Sequence, residues 1–215
     1  MITVLNNYRT LFLSDFHLGS LNCKAERLYM FLLYNDANRI YLVGDIVEEH
    51  HLYNWPDYHH DIISLLAEKA LAGTQIIYIP GNHDALFRHH LGLYGNLKVC
   101  KNYSHDCADG SLLFITHGDE TDLLPHHLWL GLVTWFERVT SLPAWETLRR
   151  IFSRLIERHT KKFEMKMRKR GHDKILCGHI HSPKVSDGYY NCGDWTHHCT
   201  AIAETLDGEF ILLQG

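Results

Sequence analysis

Five short apolar runs, each ending in side chains that can ligate a metal ion, constrain this chain more than any other feature. Leu11-Phe12-Leu13 leads into Ser14-Asp15-Phe16-His17, Ile40-Tyr41-Leu42-Val43 into Gly44-Asp45, and Ile76-Ile77-Tyr78-Ile79 into Gly81-Asn82-His83-Asp84. Leu112-Leu113-Phe114-Ile115 leads into Thr116-His117-Gly118-Asp119, and Lys174-Ile175-Leu176-Cys177 into Gly178-His179-Ile180-His181. Such β-branched and aromatic runs favour strands. Laid side by side in one sheet, they would bring their polar tips to one rim, where open α/β sheets build their sites. The chain reads first as a metalloenzyme.

Between the tips the pattern turns helical. Leu28, Phe31, Leu32 and Asn35 recur at helical spacing and predict a helix over residues 24–37; a second covers 58–72, before the break at Gly73-Thr74. This alternation is the βαβ pattern of an α/β protein. Later the rhythm changes: Tyr189-Tyr190-Asn191, residues 200–204 and residues 209–213 read as successive antiparallel strands, the last two joined at Asp207-Gly208. A second sheet packed on the first would accommodate them. A helical insertion over residues 122–172 carries two apolar faces, Leu128, Leu132, Trp135, Phe136 and Val139, then Trp145, Leu148, Phe152, Leu155, Ile156, His159 and Phe163, separated by Ser141-Leu142-Pro143. At 215 residues and 46% hydrophobic, one domain over residues 1–215 can bury a sufficient core with this insertion inside it.

The longest apolar stretch, residues 128–136, falls far short of the roughly 20 residues a membrane span needs, and the first 13 residues lack the pattern of a signal peptide. A cytoplasmic protein is expected. The six cysteines show no C-x-x-C spacing, which predicts buried reduced thiols rather than a zinc ribbon or disulfide scaffold. Residues 147–174 hold 11 Lys and Arg against 3 Asp and Glu, while the rest of the chain has 10 against 22. That segment marks an anion-facing surface. No nucleic-acid reading module accompanies it, so nucleic acid is not an expected partner.

Asp15 and His17 are two residues apart, so in an extended segment both face one way and can offer a cation an oxygen and a nitrogen. The same spacing at Asp57-Tyr58-His59 lies in a polar helical stretch and is read as surface. His179 and His181 repeat the geometry with two imidazoles. Asp45, after a glycine that permits a sharp turn, has two oxygens able to bridge two cations. In Gly81-Asn82-His83-Asp84 an amide oxygen sits beside an imidazole that the adjacent Asp84 carboxylate can orient.

Taken together, Asp15-x-His17, Gly44-Asp45, Gly81-Asn82-His83-Asp84, His117-Gly118-Asp119 and Gly178-His179-x-His181 resemble the calcineurin-like metallophosphoesterase superfamily. The resemblance implies an α/β fold, a four-layer αββα two-sheet sandwich with a dinuclear site. Asp15, His17, Asp45 and His181 would hold one divalent metal ion and Asp45, Asn82, His117 and His179 the other, with Asp45 bridging. Manganese is the expected metal, though nitrogen and oxygen donors without thiolate also suit iron, zinc or cobalt. His83, held by Asp84, would stabilise the transition state or protonate the leaving oxygen.

A narrower resemblance covers nearly the whole chain. His17-Leu18-Gly19-Ser20 with Cys23-Lys24-Ala25-Glu26, Leu42-Val43-Gly44-Asp45-Ile46, Tyr78-Ile79-Pro80-Gly81-Asn82-His83-Asp84, and Asn191-Cys192-Gly193-Asp194-Trp195 through Cys199-Thr200-Ala201 are similar to bacterial UDP-2,3-diacylglucosamine diphosphatase-like proteins. It implies hydrolysis of that lipid A precursor to UMP and 2,3-diacylglucosamine 1-phosphate by an enzyme peripheral on the inner membrane. Two positions depart from the group: His83 stands where its best-characterised branch has arginine, and Glu48-Glu49-His50 where relatives commonly show an Asp-Gly-Trp type sequence. Trp135, Arg149 and Arg150 of the insertion would meet the acyl chains and an anionic membrane surface. Arg88 and His197 would meet substrate phosphate. The alternative is a soluble phosphodiesterase or phosphatase acting on another small phosphoester.

Overall fold

The computed structural model describes residues 6–48, 55–121, 161–162, 164–186 and 188–215. Two sheets stack face to face. Among the described residues the first comprises seven strands, β1 (Asn6–Leu13), β2 (Asn35–Leu42), β3 (Gln75–Tyr78), β4 (Gly92–Tyr94), β5 (Leu97–Val99), β11 (Thr200–Glu204) and β12 (Phe210–Gln214). The second comprises five, β6 (Tyr103–Asp106), β7 (Leu112–Ile115), β8 (Lys174–Cys177), β9 (Lys184–Ser186) and β10 (Tyr189–Asn191). Across the sheets the orders are β12-β11-β1-β2-β3-β5-β4 and β6-β7-β8-β10-β9.

Strand periodicity explains the layering. On β1, Leu11 and Leu13 face α1 (Ala25–Tyr34) and α2 (Asp57–Leu71), while Phe12 between them faces the second sheet. Ile40 and Leu42 against Tyr41 and Val43, and Ile76 and Tyr78 against Ile77 and Ile79, repeat this alternation. Parallel strands covered on both faces are apolar on both, which is why the runs look continuous in the sequence. Phe12, Tyr41 and Ile79 meet Leu113, Ile115, Leu176 and Tyr190 between the sheets. On the far side of the second sheet, Phe114 and Ile175 are covered by Met167 from helical residues 164–168. The order is therefore helix, sheet, sheet, helix.

The arrangement differs from the sequence reading in three ways. The five runs do not share one sheet: β1, β2 and β3 lie in the first, β7 and β8 in the second. The last three strands do not form one meander, because β10 pairs with β8 and β9, whereas β11 joins β1 in the first sheet. Short-range pattern carries no information about which sheet a strand enters. Finally, α1 stops at Tyr34 rather than residue 37. Asn35 caps it, its backbone and side-chain amides both donating to the Phe31 carbonyl, and parallel pairing with β1 begins there, with Asn6 opposite Asn35. The reverse turn at Asp207-Gly208 forms as expected, with Gly208 N–H bonded to Thr205 O. All six cysteines are free, four buried and two half-buried. Among the described residues no helix is long and apolar enough to cross a membrane.

His59, read as surface, is only 4% exposed, and its Nδ1 accepts the Gly19 N–H at 2.8 Å. This bond ties α2 to the loop that carries His17. Burial, and then the neighbouring His60, hold the imidazole pKa below its ordinary value. The folded state therefore binds the proton less readily than the unfolded chain. Stability from this group is complete above the unfolded value of about 6.5 and falls as pH drops from there toward the lowered folded value. In urea unfolding of metal-free protein, His59→Gln is expected to flatten the acid limb, removing up to about 1.4 kcal/mol per pH unit of slope below about pH 6.5. An unchanged slope would show that His59 titrates alike in both states.

Candidate metal centre

The strand ends deliver five loops to one rim. Leu13, Leu42 and Tyr78 stand level across β1, β2 and β3, and Ile115 is level with Leu176 across β7 and β8. Beyond the strands, pairing persists: Asp15 N–H bonds Gly44 O and His17 N–H bonds Asp45 O. The two sheets are stitched together here, since His179 N–H donates to Asp15 Oδ2 at 3.0 Å and His117 Nδ1–H to Val43 O at 2.8 Å.

Among the described residues six non-glycine residues adopt left-handed φ, and five are Asp15, His17, Asp45, His179 and His181. Each costs about 1–2 kcal/mol against an ordinary conformation. Strain concentrated on these five marks them as held by the whole fold for their side-chain directions. Gly44, at φ 82°, lies against the His117 ring, and a Cβ at Gly81 would strike Asp45 and His117. Larger residues at either position would close the space between the loops.

The donor set fits cations. Among the described residues no hydrogen bond reaches the buried Asp15 Oδ1, which faces His181 Nε2 at 3.1 Å and His17 Nε2 at 3.9 Å. Those two imidazole nitrogens lie 3.4 Å apart. Glu48 accepts a hydrogen bond from His17 Nδ1–H at 2.6 Å, so in the neutral ring Nε2 presents a lone pair. His117 repeats this logic: its Nδ1–H is given to Val43 O, and its Nε2 faces Asp45 Oδ2 at 3.2 Å and Asn82 Oδ1 at 3.3 Å. With the rings neutral, acceptors would converge on acceptors in both places, and a positive charge resolves this, a metal ion or, without one, the proton that the raised His117 pKa retains. Asp15, His17 and His181 form one group with metal-binding spacing, and Asp45, His117 and His179 another; Asp45 also groups with His17 and His83. The electrostatics agree. Burial alone would lower the His117 pKa, yet the charge and hydrogen bond of Asp45, with Asp15 behind, lift it to about 10. For Asp45 burial would raise the pKa, but His117 and His83 hold it well below the usual carboxylate range.

The site differs from the sequence reading at two residues and leaves three outside the described part. Asp84 does not orient His83. It is fully buried, its carboxylate accepting Ile46 N–H at 2.7 Å, the Tyr78 hydroxyl at 2.6 Å and Gly81 N–H, so it shapes the turn that carries Asn82 and His83. The carboxylate on His83 is that of Glu48, 3.0 Å from Nδ1. Glu48 thus holds His17 with one oxygen and His83 with the other. Burial would raise its pKa, but the hydrogen bonds from the two histidines bring it down to about 2. The bond to Glu48 raises the His83 pKa against the effect of burial, with help from the Asp45 charge. Sequence reasoning met Glu48 only as a departure from a family pattern; its spacing three residues after Asp45, on the same loop, was the available signal. Arg88 is also engaged otherwise. Its guanidinium donates to Pro80 O at 3.1–3.2 Å and pairs with Asp119 at 2.8 Å, so it clamps two site loops together. Trp135, Arg149 and Arg150 lie outside the described residues. His197 sits near His181 and Asp194 at the edge of the site, with its side chain 77% exposed.

The sequence model of the calcineurin-like phosphoesterases matches residues 8–183, which include all five tips. No curated protein matches the chain.

Proposed function

The chain belongs to the calcineurin-like phosphoesterase family, whose members are metal-dependent phosphoester hydrolases, and on that premise we propose that it cleaves the pyrophosphate of a lipid-linked nucleotide, UDP-2,3-diacylglucosamine, at a dinuclear centre. The observation that carries the hydrolase chemistry is the meeting of the Asp15, His17, His181 group with the Asp45, His117, His179 group. Asp15, His17, Asp45 and His181 would hold one ion, and Asp45, Asn82, His117 and His179 the other. Manganese is the proposed metal, with iron, zinc or cobalt compatible with the same donors. The chemistry supplied there is Lewis-acid polarisation of phosphoryl oxygens and a water acidic enough to attack near neutral pH.

The chain's own residues supply the rest. His83, held through Nδ1 by Glu48 and favoured as imidazolium, gives its proton to the leaving oxygen. Asp84 keeps the turn under His83 in shape, and the Arg88–Asp119 pair fixes the loops on either side. The lipid-nucleotide substrate is supported by the segments around Cys23, Asp45, Asn82 and Asp194 that are similar to UDP-2,3-diacylglucosamine diphosphatase-like proteins. Trp135, Arg149 and Arg150 are the proposed contacts for acyl chains and headgroups. Lys161, Lys162, Lys166, Arg168, Lys169 and Arg170 are all exposed, with Met165 among them, which supports a cytoplasmic protein resting peripherally on an anionic inner-membrane surface.

The test is release of UMP from UDP-2,3-diacylglucosamine by protein reconstituted with manganese and by the same protein after chelation. Metal-dependent UMP release is expected. Metal-dependent cleavage of a generic phosphodiester without UMP release would keep the dinuclear centre and remove this substrate.

A further inference from the structure

The loop that follows β10 builds a second polar feature beside the metal centre. Asp194 is fully buried. Its Oδ1 accepts Thr196 N–H at 2.8 Å, Thr196 Oγ1–H at 2.7 Å and His197 N–H at 2.6 Å, and its Oδ2 meets His198 Nδ1. The loop hangs from the site itself, since Trp195 N–H donates to Asp15 O and Lys24 N–H to Trp195 O. On the other side Gln214 Nε2 donates to His198 O and Gly215 N–H to Cys199 O. Cys199, the sixth residue with left-handed φ, ends the loop.

Proton accounting settles which ring edges remain. A hydroxyl has one proton, and Thr196 gives its proton to Asp194, so Thr196 Oγ1 accepts from His197 Nδ1–H at 2.9 Å. His198 Nδ1–H goes to Asp194 Oδ2. In both rings Nδ1 serves the loop, and among the described residues no hydrogen bond engages Nε2. The side chains are 77% and 48% exposed. Fixing two imidazoles firmly while keeping them in solvent does nothing for the core. Their position does something for the site: a ring nitrogen of His197 lies within 4.8 Å of one of His181, and Asp194 Oδ2 lies 4.0 Å from His181 Nδ1.

We propose that His197 and His198 form an anion subsite for the phosphoryl group across the scissile bridge from the one bound at the metal centre, so that the site selects diphosphates over single phosphoryl groups. This rests on the phosphoesterase reading above and assigns part of its specificity. An imidazolium donates through Nε2–H to a phosphate oxygen, a charge-assisted bond. Contact with one phosphoryl group alone would leave these two rings unused.

The test is calorimetric titration of the manganese-loaded protein with methylenediphosphonate, whose P–C–P link resists hydrolysis, and with inorganic phosphate. Wild-type protein is expected to bind the diphosphonate more tightly. His197→Ala and His198→Ala, with the double variant, are expected to raise its Kd by about tenfold to a hundredfold in total while moving that of phosphate by about twofold or less. His197→Gln, which keeps size and polarity without the charge, should lose most of the same preference, with an unchanged melting temperature showing that the loop is intact. Equal effects on both anions, or none on either, would overturn the subsite while leaving the phosphoesterase reading in place. Metal-dependent binding of neither anion by the wild-type protein would overturn both.

Discussion

Replacing Asp45 by asparagine is expected to lower kcat/KM toward any phosphoester by at least ~10³-fold and to weaken both metal ions at once. The two ions together contribute several kcal/mol of charge stabilisation in the transition state, and each 1.4 kcal/mol is about tenfold in rate. Asp45 belongs to the group with His117 and His179 and to the group with His17 and His83, and its two oxygens already point to different neighbours, Oδ1 to His83 N–H and Oδ2 to His117 Nε2. The asparagine keeps the shape of a residue held at φ 53° while removing the charge that both groups share. His117→Ala, by contrast, is expected to cost only one ion. Metal content after dialysis, measured alongside kcat/KM, separates the cases: an Asp45→Asn protein that keeps one tightly held ion would show that the carboxylate serves a single metal.

Glu48→Ala is expected to reduce kcat by about 10²–10³-fold, close to the loss from His83→Ala, because positioned proton transfer contributes about 10²–10⁴-fold and an unpositioned imidazole contributes little of it. The loss should depend on the leaving group. A 4-nitrophenolate leaves without a proton and should be affected least; an alkoxide, which needs one, should be affected most. Glu48 and His83 touch at 3.0 Å, so the double variant should be little worse than either single one. Glu48 also holds His17, so Glu48→Ala has a second consequence that His83→Ala lacks, a loss of metal affinity of about 10–100-fold. Glu48→Gln, which can accept from one ring but not carry the charge, is expected to fall between. Equal loss on all leaving groups would assign Glu48 to the metal ligand alone and not to His83.

Much of the fold was legible because local physics decides it. The runs ending at Leu13, Ile115 and Cys177 became strands, and the ligand-type residues gathered after them, since an apolar strand covered on both faces must end where polar side chains resume. Which sheet each strand entered was not legible. β10 and β11 look alike in the chain yet belong to different sheets, and that choice depends on partners far away in sequence, such as Ala203 opposite Leu11 and Tyr190 opposite Leu176.

The same division runs through the site. The family and the types and order of the ligand-type residues could be read from the chain, because those are properties of short segments with fixed spacing. Which carboxylate serves which imidazole is settled by the stacking of the two sheets. Asp84, next to His83 in the chain, is taken by the Ile46, Gly81 and Tyr78 donors, while Glu48, 35 residues away, holds His83 and His17 together. Arg88 likewise offered a free cation in the sequence and is a loop clamp in the fold. A hydrogen bond depends on distance and direction in space, and once the two sheets have stacked, nearness along the chain no longer predicts either.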